Sequence, residues 1–92
     1  MVARTRFRFP LNPLARRQAE IILRRLRVAL DEIYGPEPPP ESEGLEEPIL
    51  ALIHRMEKII RLEEAKEAYN KGLPLTELAR TLLADLMRGV RF

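Results

Sequence analysis

The stretch Asn12–Gly35, NPLARRQAEIILRRLRVALDEIYG, carries its own start signal, apolar stripe and stop signal, and the rest of the chain has to be built around it. Asn12 is a good N-cap, and Pro13 suits the first helical position, where a missing N–H costs nothing. Ala19, Leu23, Leu26, Leu30 and Ile33 follow at steps of three and four, with Ile22 and Ala29 widening the stripe. That spacing puts one apolar face on a helix. Gly35 is expected to turn left-handed at its end, and Pro36 forbids continuation. At about 1.5 Å per residue, Pro13 to Tyr34 predicts a rod of roughly 33 Å.

Two more helical patterns supply partners for that rod. Pro48 fits the first turn of a second helix, expected over about 47–71, with Glu46 and Glu47 at the positive end of its dipole. Its apolar set is Ile49, Leu52, Ile53, Met56, Ile59 and Ile60. The stripe then drifts toward Leu62, Ala65 and Tyr69, so the second half is expected to meet a different partner. Gly72 and Pro74 end it. A third helix is expected over about 75–88, striped by Leu75, Ala79, Leu82 and Leu86, reinforced by Leu78 and Leu83, and capped by Gly89. The fold class expected is therefore all-α: a small bundle, or an assembly whose stripes are completed by a second chain.

The first eleven residues, MVARTRFRFPL, follow a different period. Arg4, Arg6 and Arg8 alternate with Ala3, Thr5, Phe7 and Phe9, the pattern of a half-buried strand or extended arm ended by Pro10. With no second strand to pair with, the arm has to lie on a helical surface through Phe7 and Phe9, join another chain, or stay mobile until it meets a ligand. The organisation expected is this basic arm, 1–11, followed by a single helical domain, 12–92. Within that domain, residues 35–47, GPEPPPESEGLEE, form an acidic proline-rich linker. Pro38, Pro39 and Pro40 favour an extended polyproline strap that runs back along the first helix or reaches a neighbour.

Composition narrows the classes of function. A chain of 92 residues buries about two-thirds or less of its unfolded surface, and without cysteine it has no disulfide to compensate. Zero cysteines also remove thiolate metal sites and redox chemistry, and fit a reducing cytoplasm, the location expected. No apolar run reaches the length of a membrane span, and the start lacks the apolar stretch of a secretory signal. Three amide residues, many Arg, Glu and Leu, and eight prolines lean toward a thermophilic source.

The net charge of +2 hides a segregation. Residues 1–30 hold eight arginines against one acid, Glu20; residues 31–50 hold seven acids and no base. On the first helix Glu20 and Asp31 are spaced for i,i+4 pairs with Arg24 and Arg27. Exposed pairs of that kind contribute only a few tenths of a kcal/mol, so they do not explain the arginine count. Arginine without lysine suits bidentate contacts to phosphate. Phe7 and Phe9, interleaved with Arg6 and Arg8, add stacking surfaces for single-stranded bases.

These features point to a non-catalytic helical subunit of a nucleoprotein assembly. The expected contact residues are Arg4, Arg6, Phe7, Arg8, Phe9, Arg16, Arg17, Arg24 and Arg25, reading phosphates rather than sequence. The competing expectation is a structural or oligomerisation protein without nucleic acid, whose basic face pairs with its own or a neighbour's acidic linker. Partners expected are thus nucleic acid and protein subunits, the latter in a larger assembly or a homo-oligomer, with no membrane and no small-molecule substrate.

Other motifs add little. LPLTELARTL begins like the first helix of a helix-turn-helix, but TLLADLM runs straight on where the turn should fall. The segment LLADLMRGVRF resembles the end of the specificity subunits of type I restriction enzymes, where a long helix leads into a leucine-rich stretch with glycine and arginine. The likeness covers eleven of 92 residues and lacks the threonine usual before that glycine, so no function is carried over. His54 is the only histidine, beside the second stripe, with Glu57 as its one near acid. A solvent-facing or structural role is expected for it, and a solvated helix surface for Glu63, Glu64 and Glu67. With no phosphate-binding glycine loop, nucleophile motif or metal spacing, the chain is expected to be no enzyme and to hold no cofactor or metal.

Overall fold

Pro13 opens the first helix as the sequence requires: α1 runs Pro13–Ile33, α2 Glu46–Asn70 and α3 Glu77–Gly89, with a 3-10 turn at Pro40–Ser42. The computed structural model describes residues 7–89. Among them the secondary structure is all helical, and the class expected from the stripes holds.

The helix ends show which local signals operate. α2 closes in a Schellman arrangement: Leu73 N–H donates to Ala68 O and Gly72 N–H to Tyr69 O, both at 3.0 Å, with Gly72 at φ +72°. A residue with a Cβ is strained in that conformation, so glycine is needed there. Gly35, by contrast, is not left-handed. Its N–H bonds Glu32 O at 3.2 Å in a tightened last turn, and Pro36 stops the helix. Gly89 is likewise not a left-handed cap but the last helical residue described. At the start of α3, Thr76 Oγ1 accepts the Ala79 N–H at 3.1 Å, so helix begins just after Thr76 and not at Leu75.

The linker departs from an extended strap. Pro39 does take a polyproline conformation (φ −56°, ψ 140°), but the chain then winds. Ser42 N–H and Oγ both bond Pro39 O, at 3.0 and 2.6 Å, and Leu45 N–H bonds Ser42 O at 3.0 Å. Gly44, at φ +79°, turns the chain into α2. Serine and glycine in ESEG thus offer the backbone local hydrogen bonds that three prolines cannot, and these outweigh the polyproline preference.

Two compact units result, and α2 contributes to both. The first is residues 13–60. Its buried residues are Ala19 and Leu23 of α1 and Ile53 of α2, with Leu26, Leu30 and Ile33 half-buried. The stripe is narrower than expected, because Ile22 and Leu52 are exposed. Tyr34 donates its hydroxyl hydrogen bond to Glu46 Oε1, tying the end of α1 to the start of α2. That bond to a carboxylate, together with desolvation and the charge of Glu46, raises the tyrosine pKa above its ordinary 10.0.

The second unit joins residues before Pro13 to those from Arg61 onward. Phe9, Ala65 and Leu83 form its core, with Leu62, Tyr69, Leu75, Ala79 and Leu86 packed against it. The drift of the α2 stripe toward Leu62, Ala65 and Tyr69 therefore has a cause: this half of the helix faces Phe9 and α3. Phe9 packs edge-on against both Phe7 and Tyr69, each at 5.0 Å between centroids. Residues 7–12 have no strand to pair with, and side chains of α2 stand in for one. Asn70 accepts from Phe9 N–H at 2.8 Å and donates to Phe9 O at 2.9 Å. Glu63 accepts from Asn12 N–H at 2.9 Å, and Lys66 reaches Pro10 O at 3.4 Å.

Candidate functional site

α1 carries the arginines that the sequence singles out, and its 3.6-residue period sorts them. Arg17, Arg24, Arg25 and Arg27 are exposed, whereas Arg16 is half-buried on the side of Ala19 and Leu23. Arg16 Nε takes the Glu20 carboxylate at 3.2 Å. The sequence had suggested Arg24 for that carboxylate; Arg16, already held by its surroundings, loses less side-chain freedom on pairing. Arg27 turns to Glu57 of α2 at 3.9 Å instead of to Asp31. Arg17, Arg24 and Arg25 are left with no ion-pair partner among the described residues.

The acidic linker does not change this. Glu37, Glu41, Glu43 and Glu47 are exposed and make no ion pair with an arginine among the described residues, and Glu46 is engaged by Tyr34. Within the residues 13–60 unit, a basic outer face and an acidic turn therefore coexist unneutralised.

The arm divides differently. Arg4 and Arg6 lie outside the described residues. Arg8 is exposed and free of ion pairs among the described residues. Phe9 is a correction to the expected stacking pair: at 7% exposure, with its ring set against Ala65, Leu83 and Tyr69, it has no open face for a base. Phe7, 53% exposed, retains one. Of the arm's expected placements, residues 7–12 take the one on a helical surface.

Glu63 was misjudged by its neighbours in sequence. It is not a solvated surface acid but a buried one, only 7% exposed, bridging Asn12 N–H and Lys66 Nζ, the latter at 2.8 Å. A carboxylate in that setting is held by charge-assisted hydrogen bonds that offset its desolvation. His54 is exposed, with Nδ1 4.0 Å from Glu57 Oε1. No group of three His, Cys, Asp or Glu side chains converges on a metal position among the described residues. A cleft of about 320 Å³ lined by Ala65, Ala68, Leu75, Ala79 and Leu82 with Arg61 and Glu64 contains no nucleophile paired with a base. Thr76, at its edge, uses its hydroxyl to cap α3.

A second outer feature of α1 escaped the sequence reading. Leu14, Ile21 and Val28 are 65%, 42% and 54% exposed and recur every seven residues. Seven residues are nearly two full turns, so the three share one face, on the opposite side from Ala19 and Leu23. Arg25 lies between Ile21 and Val28 on that face, and Arg17 and Arg24 border it. The denser inward stripe hid this sparser row.

No helix among the described residues is long and apolar enough to cross a membrane. Comparison of the chain with protein-family models, with characterised proteins and with solved structures gave no match.

Proposed function

We propose that this chain is a non-catalytic helical subunit of a nucleoprotein assembly, and that it holds nucleic-acid phosphates through the outer face of α1. The observation that carries the reading is the set Arg17, Arg24 and Arg25: exposed, on one helix, and unpaired among the described residues while free carboxylates stand elsewhere in the same unit. Guanidinium groups kept free in this way offer planar two-point donors to phosphate oxygens. Arg16, engaged with Glu20, takes a lesser part. Arg8 and Phe7 of the arm add a cation and one aromatic face, and Arg4 and Arg6 extend the same basic run in the sequence. The contacts are to the backbone, so affinity falls steeply with salt and varies little with base sequence.

The test is fluorescence anisotropy with labelled single- and double-stranded oligonucleotides across a salt series. The full chain is compared with a variant carrying Arg17→Gln, Arg24→Gln and Arg25→Gln. Each lost phosphate contact removes roughly 0.7–0.9 from the slope of log affinity against log salt. The variant should therefore lose a slope of about 2–3. No binding at low salt, or a slope unchanged in the variant, would overturn the reading. The competing reading, assembly without nucleic acid, is favoured by one observation, the exposed aliphatic row that runs among these arginines.

A further inference from the structure

Residues 9–12 are held the way a bound peptide is held. Asn70 clamps both main-chain groups of Phe9, at 2.8 and 2.9 Å, Glu63 accepts the Asn12 N–H at 2.9 Å, and Lys66 reaches Pro10 O at 3.4 Å. Contacts to the backbone give such a site its grip, and the seat of one side chain gives it selectivity. Here that side chain is Phe9, packed with Ala65, Leu83 and Tyr69. An open cleft of about 260 Å³, lined by Phe7, Tyr69, Leu75, Leu83 and Met87, runs beside the ring. The ring therefore enters and leaves across a free edge.

The geometry of the clasp selects what fills it. A helix has already spent its backbone groups internally and offers Asn70 nothing to clamp. A nucleic acid meets the Glu63 carboxylate. An extended segment with an aromatic residue followed by proline fits, and each copy of the chain carries one. We propose that residues 7–12 exchange between copies: Phe9 of one copy is clamped by Asn70 of the partner subunit, and the reciprocal contact completes a two-fold dimer. Every contact in that exchange is one already made within the single chain. Only the tether favours a copy's own arm, and the advantage ends where the concentration of other copies matches the effective concentration the tether provides. The hinge suits exchange. It consists of Leu11 and Asn12, two residues between Pro10 and Pro13. Proline fixes its own φ and holds the residue before it extended, so little has to be reset when the arm turns to a neighbour. An empty clasp exposes Ala65 and Leu83 and takes the Asn12 donor from the buried Glu63, so a site vacated by its own arm is refilled by another.

Two full-chain variants separate arm from clasp. Phe9→Ala keeps the clasp and spoils the arm; Asn70→Ala keeps the arm and removes two hydrogen bonds from its own clasp. At the usual net contribution of those bonds, the arm of Asn70→Ala prefers an intact clasp roughly thirtyfold. Sedimentation velocity on the equimolar mixture should show a species of twice the 10.7 kDa chain mass. It should form at about one-thirtieth of the concentration at which wild type dimerises, while each variant alone stays monomeric there. A mixture that keeps monomer mass up to millimolar protein, or a variant that dimerises alone as readily as the mixture, would overturn exchange. Where a variant loses helical circular dichroism, the wild-type chain decides. In isotope-filtered NMR on a millimolar mixture of two differently labelled wild-type samples, the Phe9 ring of one copy should contact the methyl groups of the partner subunit's Leu83. Absence of that contact overturns exchange equally. No sample holds nucleic acid, so these outcomes leave the phosphate reading untouched, and the oligonucleotide titrations leave exchange untouched.

Discussion

Asn70 holds the backbone of Phe9 from both sides, and replacing it with alanine should release the arm while leaving the core side chains in place. The two bonds, 2.8 Å from Phe9 N–H and 2.9 Å to Phe9 O, are partly buried. Each contributes about 1 kcal/mol net. Their joint loss is about 2 kcal/mol, or roughly a thirtyfold increase in local opening at about 1.4 kcal/mol per factor of ten. The assay is amide hydrogen exchange followed by NMR, comparing Phe9 with Leu83, which sits in the same core on α3. In Asn70→Ala the Phe9 amide should exchange about thirtyfold faster, with a smaller change at Leu83, because Phe9 still offers its ring to Ala65. Asn70→Asp should do no better at neutral pH, since a carboxylate keeps an acceptor for the N–H but sets its second oxygen against Phe9 O. A Phe9 amide that is unprotected in the wild-type chain, or equally protected after Asn70→Ala, would refute the clasp.

Leu23→Ala should cost the residues 13–60 unit about 2–4 kcal/mol, read as a lowered denaturant midpoint, because Leu23 is one of its few buried side chains. Tyr34 should titrate above 10.0 by ultraviolet absorbance in a Tyr69→Phe background, and return toward 10.0 on Glu46→Gln. Because its folded pKa is raised, the bond's contribution is fully present below the unfolded value and is lost as pH rises through the folded one, so its alkaline loss should vanish in Glu46→Gln.

The helices were legible because each carries punctuation that acts locally. Pro13 and the Gly72–Pro74 pair work through their own backbone geometry and need no tertiary context. The inner stripe of α1 was legible for the same reason, being periodic. What failed was whatever depended on a choice between partners. Glu20 had arginines four residues away on both sides, and only the surroundings of Arg16 decide between them. Glu63 looks like Glu64 in sequence, yet it is buried because the extended segment at Asn12 needs an acceptor. Phe9 reads equally well as a stacking group or as core, and Tyr69, Ala65 and Leu83, far away in the chain, decide for core. The linker failed for a smaller reason: three prolines outweighed a serine and a glycine on paper, and the hydrogen bonds of Ser42 reversed the balance.

The clasp on residues 9–12 grips main-chain atoms, and its span is long. Phe9 and Asn70 are 61 residues apart. On a growing chain, the contiguous stretch 13–60 has all its partners as soon as it has been made. Residues 7–12 emerge before that stretch and yet have nothing to hold until Glu63, Lys66 and Asn70 follow, and no complete core until Leu83 does. Closing so large a loop is slow compared with forming a helix, and for that interval Phe9 stays uncovered. The earliest-synthesised part of the described chain is thus the last to find its place, and the time it spends waiting sets a window in which a chaperone, or another copy of the chain, can reach it first.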